Sequence, residues 1–508
     1  MRKMRRTLVQ AFTVITAIAM LSACSSNSTA PSGKDPEVGK KEELVKLKWV
    51  VRSAPQKDLP AVQEAINNII RPKINTEVDI QFIDPGAPYD QKVNTMIAAN
   101  DDFDILFTGA SPAFGDFYGQ VTKGALQPIT DLVKKYAPKT YASIPEGFWK
   151  SVTVNNQIYA IPNYQIVARQ HSIVAEKRLL DKYSFDLNSV KKLEDLTPFL
   201  AKVHDGEGKQ VTPFGMDKNG YFASSSANLY TISGLDTVGS LNTVGAVRID
   251  DVSLKVINQF EQPEFKQYVT LMHSWFEKGY INQDATTLAN ILPALKTGNV
   301  ATFFNNTKPG GLVDTKVNFG NVDVVEKIID TPIVTNDNVA STLQAISKNS
   351  KHPDKAIQFL ELMNTDKEIY NLICFGIENK HYKKTGDNRI EQILNSGYAP
   401  NRSWTFGNQF NAYLLPAQPD NVWQETIDLN KNSKQSKMLG FVFNTEPVKS
   451  EIAQCQSVMD EYRPALESGF VEPEKMLPEF LAKLKTAGAD KIIVEKQKQL
   501  DAWKATNK

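Results

Sequence analysis

The 508 residues are too many for one small core; at roughly 100–200 residues per folding unit the chain holds two to four. Hydrophobic residues make up 41% and charged residues 23%, the balance of a soluble globular protein, and the formal net charge is +1. The first 23 residues carry four of the 58 basic residues (Arg2, Lys3, Arg5 and Arg6) and no acid, so the remaining body has 54 basic against 57 acidic residues, about −3. Such a body has no electrostatic attraction for phosphate backbones or anionic lipid, which argues against a nucleic-acid partner.

The basic start is followed by a mostly apolar stretch, Leu8 to Leu21, broken by Gln10, Thr13 and Thr16. It suits the core of a signal peptide and is short for a membrane span, which needs about 20 apolar residues. Leu21-Ser22-Ala23-Cys24 follows and resembles a bacterial lipoprotein cleavage box. That assigns residues 1–23 to a signal peptide and Cys24 to lipidation, with two acyl chains giving stable anchorage. Residues 24–46 begin small and polar and end charge-rich, the composition of a flexible tether.

Leu47 to Val51 reads as a first strand. Pro60 opens a helix whose Val62, Ala65, Ile66, Ile69 and Ile70 share one face. Val78, Ile80 and Phe82 alternate as a strand; Val93, Met96 and Ile97 recur at helical spacing; Phe103 to Phe107 reads as a buried strand ending at Thr108-Gly109. Strand and helix in alternation predict a parallel βαβ sheet, whose ligands bind beyond the carboxyl ends of the strands. Those ends are Arg52-Ser53-Ala54 and Thr108-Gly109-Ala110-Ser111. Val152 to Pro162 reads as a tight hairpin around Asn155-Asn156. Residues 205–245 are rich in Gly, Ser, Thr and Asn and read as loop. Helices are expected over Phe265 to Gly279, Lys355 to Met363 and most of Pro447 to Trp503, with a break at Lys483 to Asp490. In the mature chain only Cys374 and Cys455 remain besides Cys24, and buried free thiols are favoured over a disulfide. No CxxC, HExxH or clustered Cys/His spacing occurs, so no metal and no cofactor is expected.

The lipoprotein box, the strand Phe103 to Thr108, Gly124-Ala125-Leu126-Gln127-Pro128-Ile129-Thr130-Asp131-Leu132, Ile158-Tyr159-Ala160-Ile161-Pro162 and Ala294 to Ala301 together resemble the solute-binding proteins of carbohydrate-type ABC importers, the maltodextrin-binding-like superfamily. Phe375 to Tyr382 resembles the GIEGKHY signature of large Gram-positive lipoproteins of the LplA type, with Asn379 where a glycine is expected. Gly440 to Trp503 resembles the C-terminal domain of unknown function in that subgroup. The resemblance implies an α/β fold of two lobes, periplasmic-binding-protein-like, with a hinge, an interlobe cleft and a helical C-terminal extension. On this basis 47–162 and 308–365 are assigned to an N-terminal lobe, and 163–307 and 366–508 to a C-terminal lobe. The resemblance further implies a cell-membrane protein, lipid-anchored on the extracytoplasmic face of a Gram-positive cell. It would take an oligosaccharide, close around it and present it to the permease subunits of an ABC importer.

Sugars offer apolar ring faces and hydroxyls, so their sites combine aromatic platforms with carboxylates, amides and arginine. The candidates on that chemistry are Tyr164, Trp404, Trp149, Trp423, Asp104, Arg52, Ser111 and Asn338. Trp49 and Trp275 fall inside a strand and a helix and are expected in the core. His171, His204, His273, His352 and His381 are scattered without a nucleophile or base motif, and no catalytic residue is assigned. A binding protein for a peptide or other polar solute is the alternative within the class. A lipid-anchored glycan hydrolase is the alternative outside it, since two carboxylates at a set separation would suffice.

Overall fold

The computed structural model describes residues 43–111, 114–168, 170–218, 234–239, 243–288 and 291–506. The signal peptide, Cys24 and nearly all of the tether lie outside the described residues, as do 219–233 and 240–242 of the stretch read as loop. In chain order the principal strands are β1 (Val45–Arg52), β2 (Thr76–Ile83), β3 (Ile105–Thr108), β4 (Ala160–Pro162), β5 (Gln170–Glu176), β6 (Thr212–Phe214), β7 (Val300–Thr307), β8 (Val324–Ile328) and β9 (Leu343–Ile346). One sheet runs β2-β1-β3-β9-β4, and a second runs β8-β5-β7-β6.

The first sheet starts as the expected parallel unit. β1 pairs with β2 from Val45–Thr76 to Arg52–Ile83, and with β3 on its other side at Trp49–Ile105. Between β1 and β2, α1 (Leu59–Ile74) opens at Pro60 and buries Val62, Ile66 and Ile70. Two of its amides protect the sheet edge. Asn67 exchanges both hydrogen bonds with the backbone of Val78 (2.8 and 3.2 Å), and Gln63 accepts from the Ile80 N–H at 2.7 Å. A second helix, α2 (Ala87–Ala98), leads to β3. β9 and β4 then add antiparallel to the far side, so the sheet is mixed. The hairpin forms as read, with Asn155 and Asn156 both at positive φ, as a two-residue turn of type I′ requires.

Each sheet has its own core. Around the first gather Trp49, Phe107, Phe359 and Tyr370; around the second, Phe214, Phe260, Trp275 and Phe480. Trp49 is fully buried as expected, and its indole N–H donates to the Gln344 side chain at 2.9 Å. Trp275 is likewise buried and donates to Thr197 Oγ1 at 3.0 Å. The expected helices become α3 (Pro263–Glu277) and α4 (Pro353–Thr365), the latter followed by α5 (Lys367–Phe375). The C-terminal region folds as three helices rather than two, because Gly469 at positive φ ends the first early. These are α6 (Lys449–Glu467), α7 (Pro473–Thr486) and α8 (Ala489–Thr506), all packed on the second core. Cys374 lies in the first core and Cys455 in the second; both are free thiols raised in pKa by burial, Cys455 to about 11.

Two assigned segments change lobes. Residues 324–328, expected in the N-terminal lobe, are β8 of the second sheet. Residues from 366 onward, expected in the C-terminal lobe, stay with the first core through Phe406, Ala412 and Leu439. α5 follows α4 after one residue, so its apolar face, Ile369, Tyr370 and Ile373, is buried where α4 already lies. Among the described residues the chain therefore crosses between cores three times, at 163–168, 329–332 and 436–441.

The crossings are sewn together by side chains. Asn430 accepts from the Val167 and Ala168 N–H groups at 2.9 and 3.2 Å and donates to the Gln165 carbonyl at 2.7 Å. Asn336 donates to the Met438 and Phe441 carbonyls at 2.9 and 2.7 Å and accepts from the Gly440 N–H at 2.7 Å. Asp330 takes the His171 N–H at 2.9 Å, tying the second crossing to the start of β5. Asn430→Ala strands two buried N–H groups and is expected to cost at least roughly 2 kcal/mol, read by urea denaturation. A loss below about 0.5 kcal/mol would show that the crossing does not depend on this amide.

Candidate functional site

Arg52 ends β1 and Thr108 ends β3; β9 and β4 run antiparallel to each other, so Leu343 and Pro162 meet at the same edge. This is the edge from which the chain departs toward the second lobe. Gly109 follows β3 and presses against the Ser341 backbone, where an added Cβ would stand 2.4 Å from the Ser341 carbonyl oxygen. Its neighbour Ala110 donates to the Ala340 carbonyl at 2.7 Å. The tight fit places Phe114 over the end of the sheet, with its ring 6.3 Å from Phe107 and 6.4 Å from Trp404.

Two guanidinium groups lie against these rings. Arg52 stacks on Phe114 at 4.4 Å, and Arg402 lies 5.4 Å from the Trp404 ring. Burial lowers the pKa of both, and the repulsion of Arg402 lowers Arg52 further, against a weaker pull from Asp90. Burial raises the Asp90 carboxyl in turn. Among the described residues seven buried side-chain polar atoms have no hydrogen-bond partner. Four of them belong to this edge: Arg52 Nε, Ser53 Oγ, Asp90 Oδ1 and Gln120 Nε2. Buried polar groups are normally satisfied, so a cluster of orphans beside exposed aromatic surface marks a place for a polar ligand.

The other sequence candidates fall elsewhere. Asp104 precedes β3 and so lies at its amino end, away from the cleft; its carboxylate accepts from Lys48 N at 2.9 Å and Ser350 Oγ at 2.5 Å, a structural tie. Tyr164 is buried, its ring edge-on to Phe410 at 4.7 Å and to Phe148 at 6.2 Å, because the chain leaving Pro162 turns it into the first core. Trp149 is buried against Tyr141 and donates to its carbonyl at 3.2 Å. Trp423 packs on Phe410 and donates to the Ala412 carbonyl at 2.9 Å. The Asn338 amide is spent on the Ile333 carbonyl at 3.3 Å, within the hinge. Ser111 is exposed in the loop after β3, where its carbonyl accepts from Phe114 N at 2.8 Å. Of the eight, Arg52, Trp404 and Ser111 stand at the shared edge. Phe114, Arg402 and Gln120 were missed; nothing in their local pattern separates them from loop and helix surface. His381 is structural: Nδ1 accepts from Ile377 N at 2.8 Å, so Nε2 carries the proton toward Asp58, 3.2 Å away. Asn379 sustains φ 61° in that turn, so the missing glycine leaves its shape intact.

A second polar group lies beside the hinge. Asp337, Asp236 and Lys496 act on one another through buried surroundings, one from the segment before β9, one from the strand at 235–237, one from α8. Burial raises Asp236 to about 6 and, with repulsion from Asp236, Asp337 to about 7; it lowers Lys496 to about 7. Lys496 donates to Thr243 Oγ1 at 2.6 Å, and Ser436 Oγ donates to Asp236. Gly245, at φ 112°, allows this approach, since a Cβ there would meet Lys496 Cδ at 2.8 Å.

The model of the family described as bacterial extracellular solute-binding protein matches residues 59–369, well over half of the chain. The chain belongs to this family. Residues 437–505 of the solute-binding protein match a domain of unknown function, DUF3502, which is the α6–α8 extension. A carbohydrate ABC transporter substrate-binding protein of Streptococcus pneumoniae is 29% identical over 504 residues, 96% of each chain. The crystal structure of the N-glycan transport solute binding protein NgtS from S. pneumoniae superposes with TM-score 0.79 at 26% identity, covering 92% of this chain and all of that one. Its complex with Man1GlcNAc superposes at 0.70 with 28% identity, covering 90% and 99%. The two-lobed fold is thereby shared. No described helix is long and apolar enough to cross a membrane.

Two outcomes follow from the geometry. Trp404→Ala is expected to weaken ligand binding at least tenfold with little change in the unliganded melting temperature, as for an aromatic ligand platform. Tyr164→Ala does the reverse, costing roughly 3–5 kcal/mol of stability while affinity is preserved. Titration calorimetry with parallel melting curves separates them, and exchanged phenotypes would relocate the site. The buried titrating group sets the pH profile. A carboxyl raised in the fold keeps a proton that the unfolded chain has lost, so stability falls as pH rises from about 4 to 6 for Asp236 and on to 7 for Asp337. Lys496 loses its proton earlier in the fold than in the unfolded chain, so its contribution rises with pH above about 7. Asp236→Asn retains an acceptor for Ser436 and is expected to gain roughly 1–3 kcal/mol at pH 7 while flattening the fall between pH 4 and 6. Urea denaturation across pH checks this; an unchanged profile would remove Asp236 from it.

Proposed function

We propose that this solute-binding protein takes up an oligosaccharide in the interlobe cleft, against the Phe114–Trp404 surface, and delivers it to the permease subunits of an ABC importer. Cys24, carrying two acyl chains, holds it on the extracytoplasmic face of the membrane. The observation that carries the reading is the edge itself: aromatic rings beside two guanidinium groups, with four orphaned polar atoms in the same wall. Sugars present the complement, apolar ring faces alternating with hydroxyls. Glycan ligands of the pneumococcal NgtS, similar over the length of the chain, support a carbohydrate as the solute. Contacts from both lobes to one ligand favour closure about the three crossings, and the closed form is what the importer reads.

A thermal-shift panel of the soluble body against mono- and oligosaccharides and peptides tests this. A ligand at one hundred times its dissociation constant adds about 2.7 kcal/mol to stability, so an oligosaccharide should raise the melting temperature and survive incubation uncleaved. Stabilisation by peptides alone, or appearance of shorter glycans, would overturn the reading. In the full chain, Cys24→Ser should release the protein from membranes; retention would rule out the anchor.

A further inference from the structure

Five of the seven arginines among the described residues pair with a carboxylate: Arg71, Arg178, Arg248, Arg389 and Arg463. The two without an ion pair among the described residues, Arg52 and Arg402, are the two that share the ligand edge. Arg52 is 9% exposed, and its Nε has no acceptor. Both are positive and near enough to repel one another. Asp90, the one acid acting on Arg52, forms no hydrogen bond with it; one Asp90 oxygen is itself unsatisfied. The acids beside the hinge do not compensate, since neither guanidinium is among the charges acting on Asp236 or Asp337.

A protein gains nothing in stability by desolvating two like charges side by side without a counter-charge. Sugar hydroxyls would satisfy their N–H groups but leave the repulsion in place. A carboxylate satisfies both demands at once, because its two oxygens match the planar fork of a guanidinium and its charge offsets the pair. Stacking on Phe114 and beside Trp404 holds each fork in position and leaves aromatic surface for the sugar ring that carries the acid.

From this arrangement we infer that the solute is an acidic oligosaccharide, one bearing a carboxylate that Arg52 and Arg402 bind together. The inference rests on the proposed carbohydrate function and narrows it. The carboxylate comes either from a uronic acid within the glycan or from a terminal sialic acid, and the shared chemistry is the carboxyl group on a pyranose ring.

Calorimetric titration of the soluble body with matched pairs tests it: trigalacturonate against its methyl ester, and 3′-sialyllactose against lactose, with maltotriose, mannotriose and chitotriose as neutral probes. In at least one pair the acid should bind about tenfold or more tighter than its neutral partner, and that advantage should shrink with added salt. Which pair responds assigns the source of the carboxylate. Arg52→Gln and Arg402→Gln should each abolish most of the advantage of the acid over its neutral partner, read as the ratio of the two affinities within each variant. Arg402→Gln lies on a loop and keeps the assay informative if Arg52→Gln melts early. Equal binding of acid and neutral partners, or an advantage that survives both substitutions, overturns the inference. Binding of neutral probes alone overturns it while leaving the carbohydrate function standing, and binding of none of these glycans overturns both.

Discussion

Three passages of backbone between two separate cores constrain everything else in the molecule. A peptide chain leaving one sheet for another gives up its ladder partners, and buried N–H and C=O groups without partners are costly. Here side-chain amides stand in for strands. Asn430 serves the first passage, Asn336 the third, and Asp330 ties the second to β5. These bonds are few and local, so each passage is tied at single points rather than along a ladder. That is the mechanical condition for a cleft that opens and closes.

The same passages explain where the candidate site lies. The first passage leaves from Pro162, at the edge of the first sheet that carries Arg52 and Thr108, and the second leads back to that edge at Leu343. A ligand there can touch both bodies, and only such a ligand can alter their relative stability as a pair. Asp337 of the buried Asp236–Asp337–Lys496 group lies between the second passage and β9, and has a cation acting on it, whereas the arginine pair at the strand ends still lacks a counter-charge.

The sequence revealed what local periodicity encodes and little of what the return of the chain encodes. α1, β2 and β3 were legible because their apolar spacing of 3.6 or 2 is set by neighbours in sequence. β9 was not, since Leu343 to Ile346 is a short apolar run whose partners lie more than 180 residues earlier. Arg52 was legible as a strand end. Asp104 precedes β3, a strand's length from the ligand edge at Thr108, so an acid beside a well-placed strand is misplaced when only its carboxyl end faces the ligand. Tyr164 shows a different limit: an aromatic beside a hinge has the same sequence appearance whether it faces solvent or core, and only the packing of Phe148 and Phe410 decides. Arg402 and Phe114 reach the site from loops about 290 residues apart, and no spacing rule connects them. The turn around Asn379 was carried by resemblance and kept its left-handed geometry because asparagine tolerates it.

The interleaving of the two cores has a consequence for synthesis. The first sheet lacks the fourth strand of its order, β9, until residue 343, and its core is closed by side chains as late as Leu439. The second core, begun at Ile173, waits for Leu500 on α8. Neither half can therefore complete its packing while most of the polypeptide is still being made. Contacts this distant in sequence are slow to form, and a chain that has not formed them remains threadable. The wiring that makes the hinge thus also postpones completion of either core until segments far apart in sequence have come together.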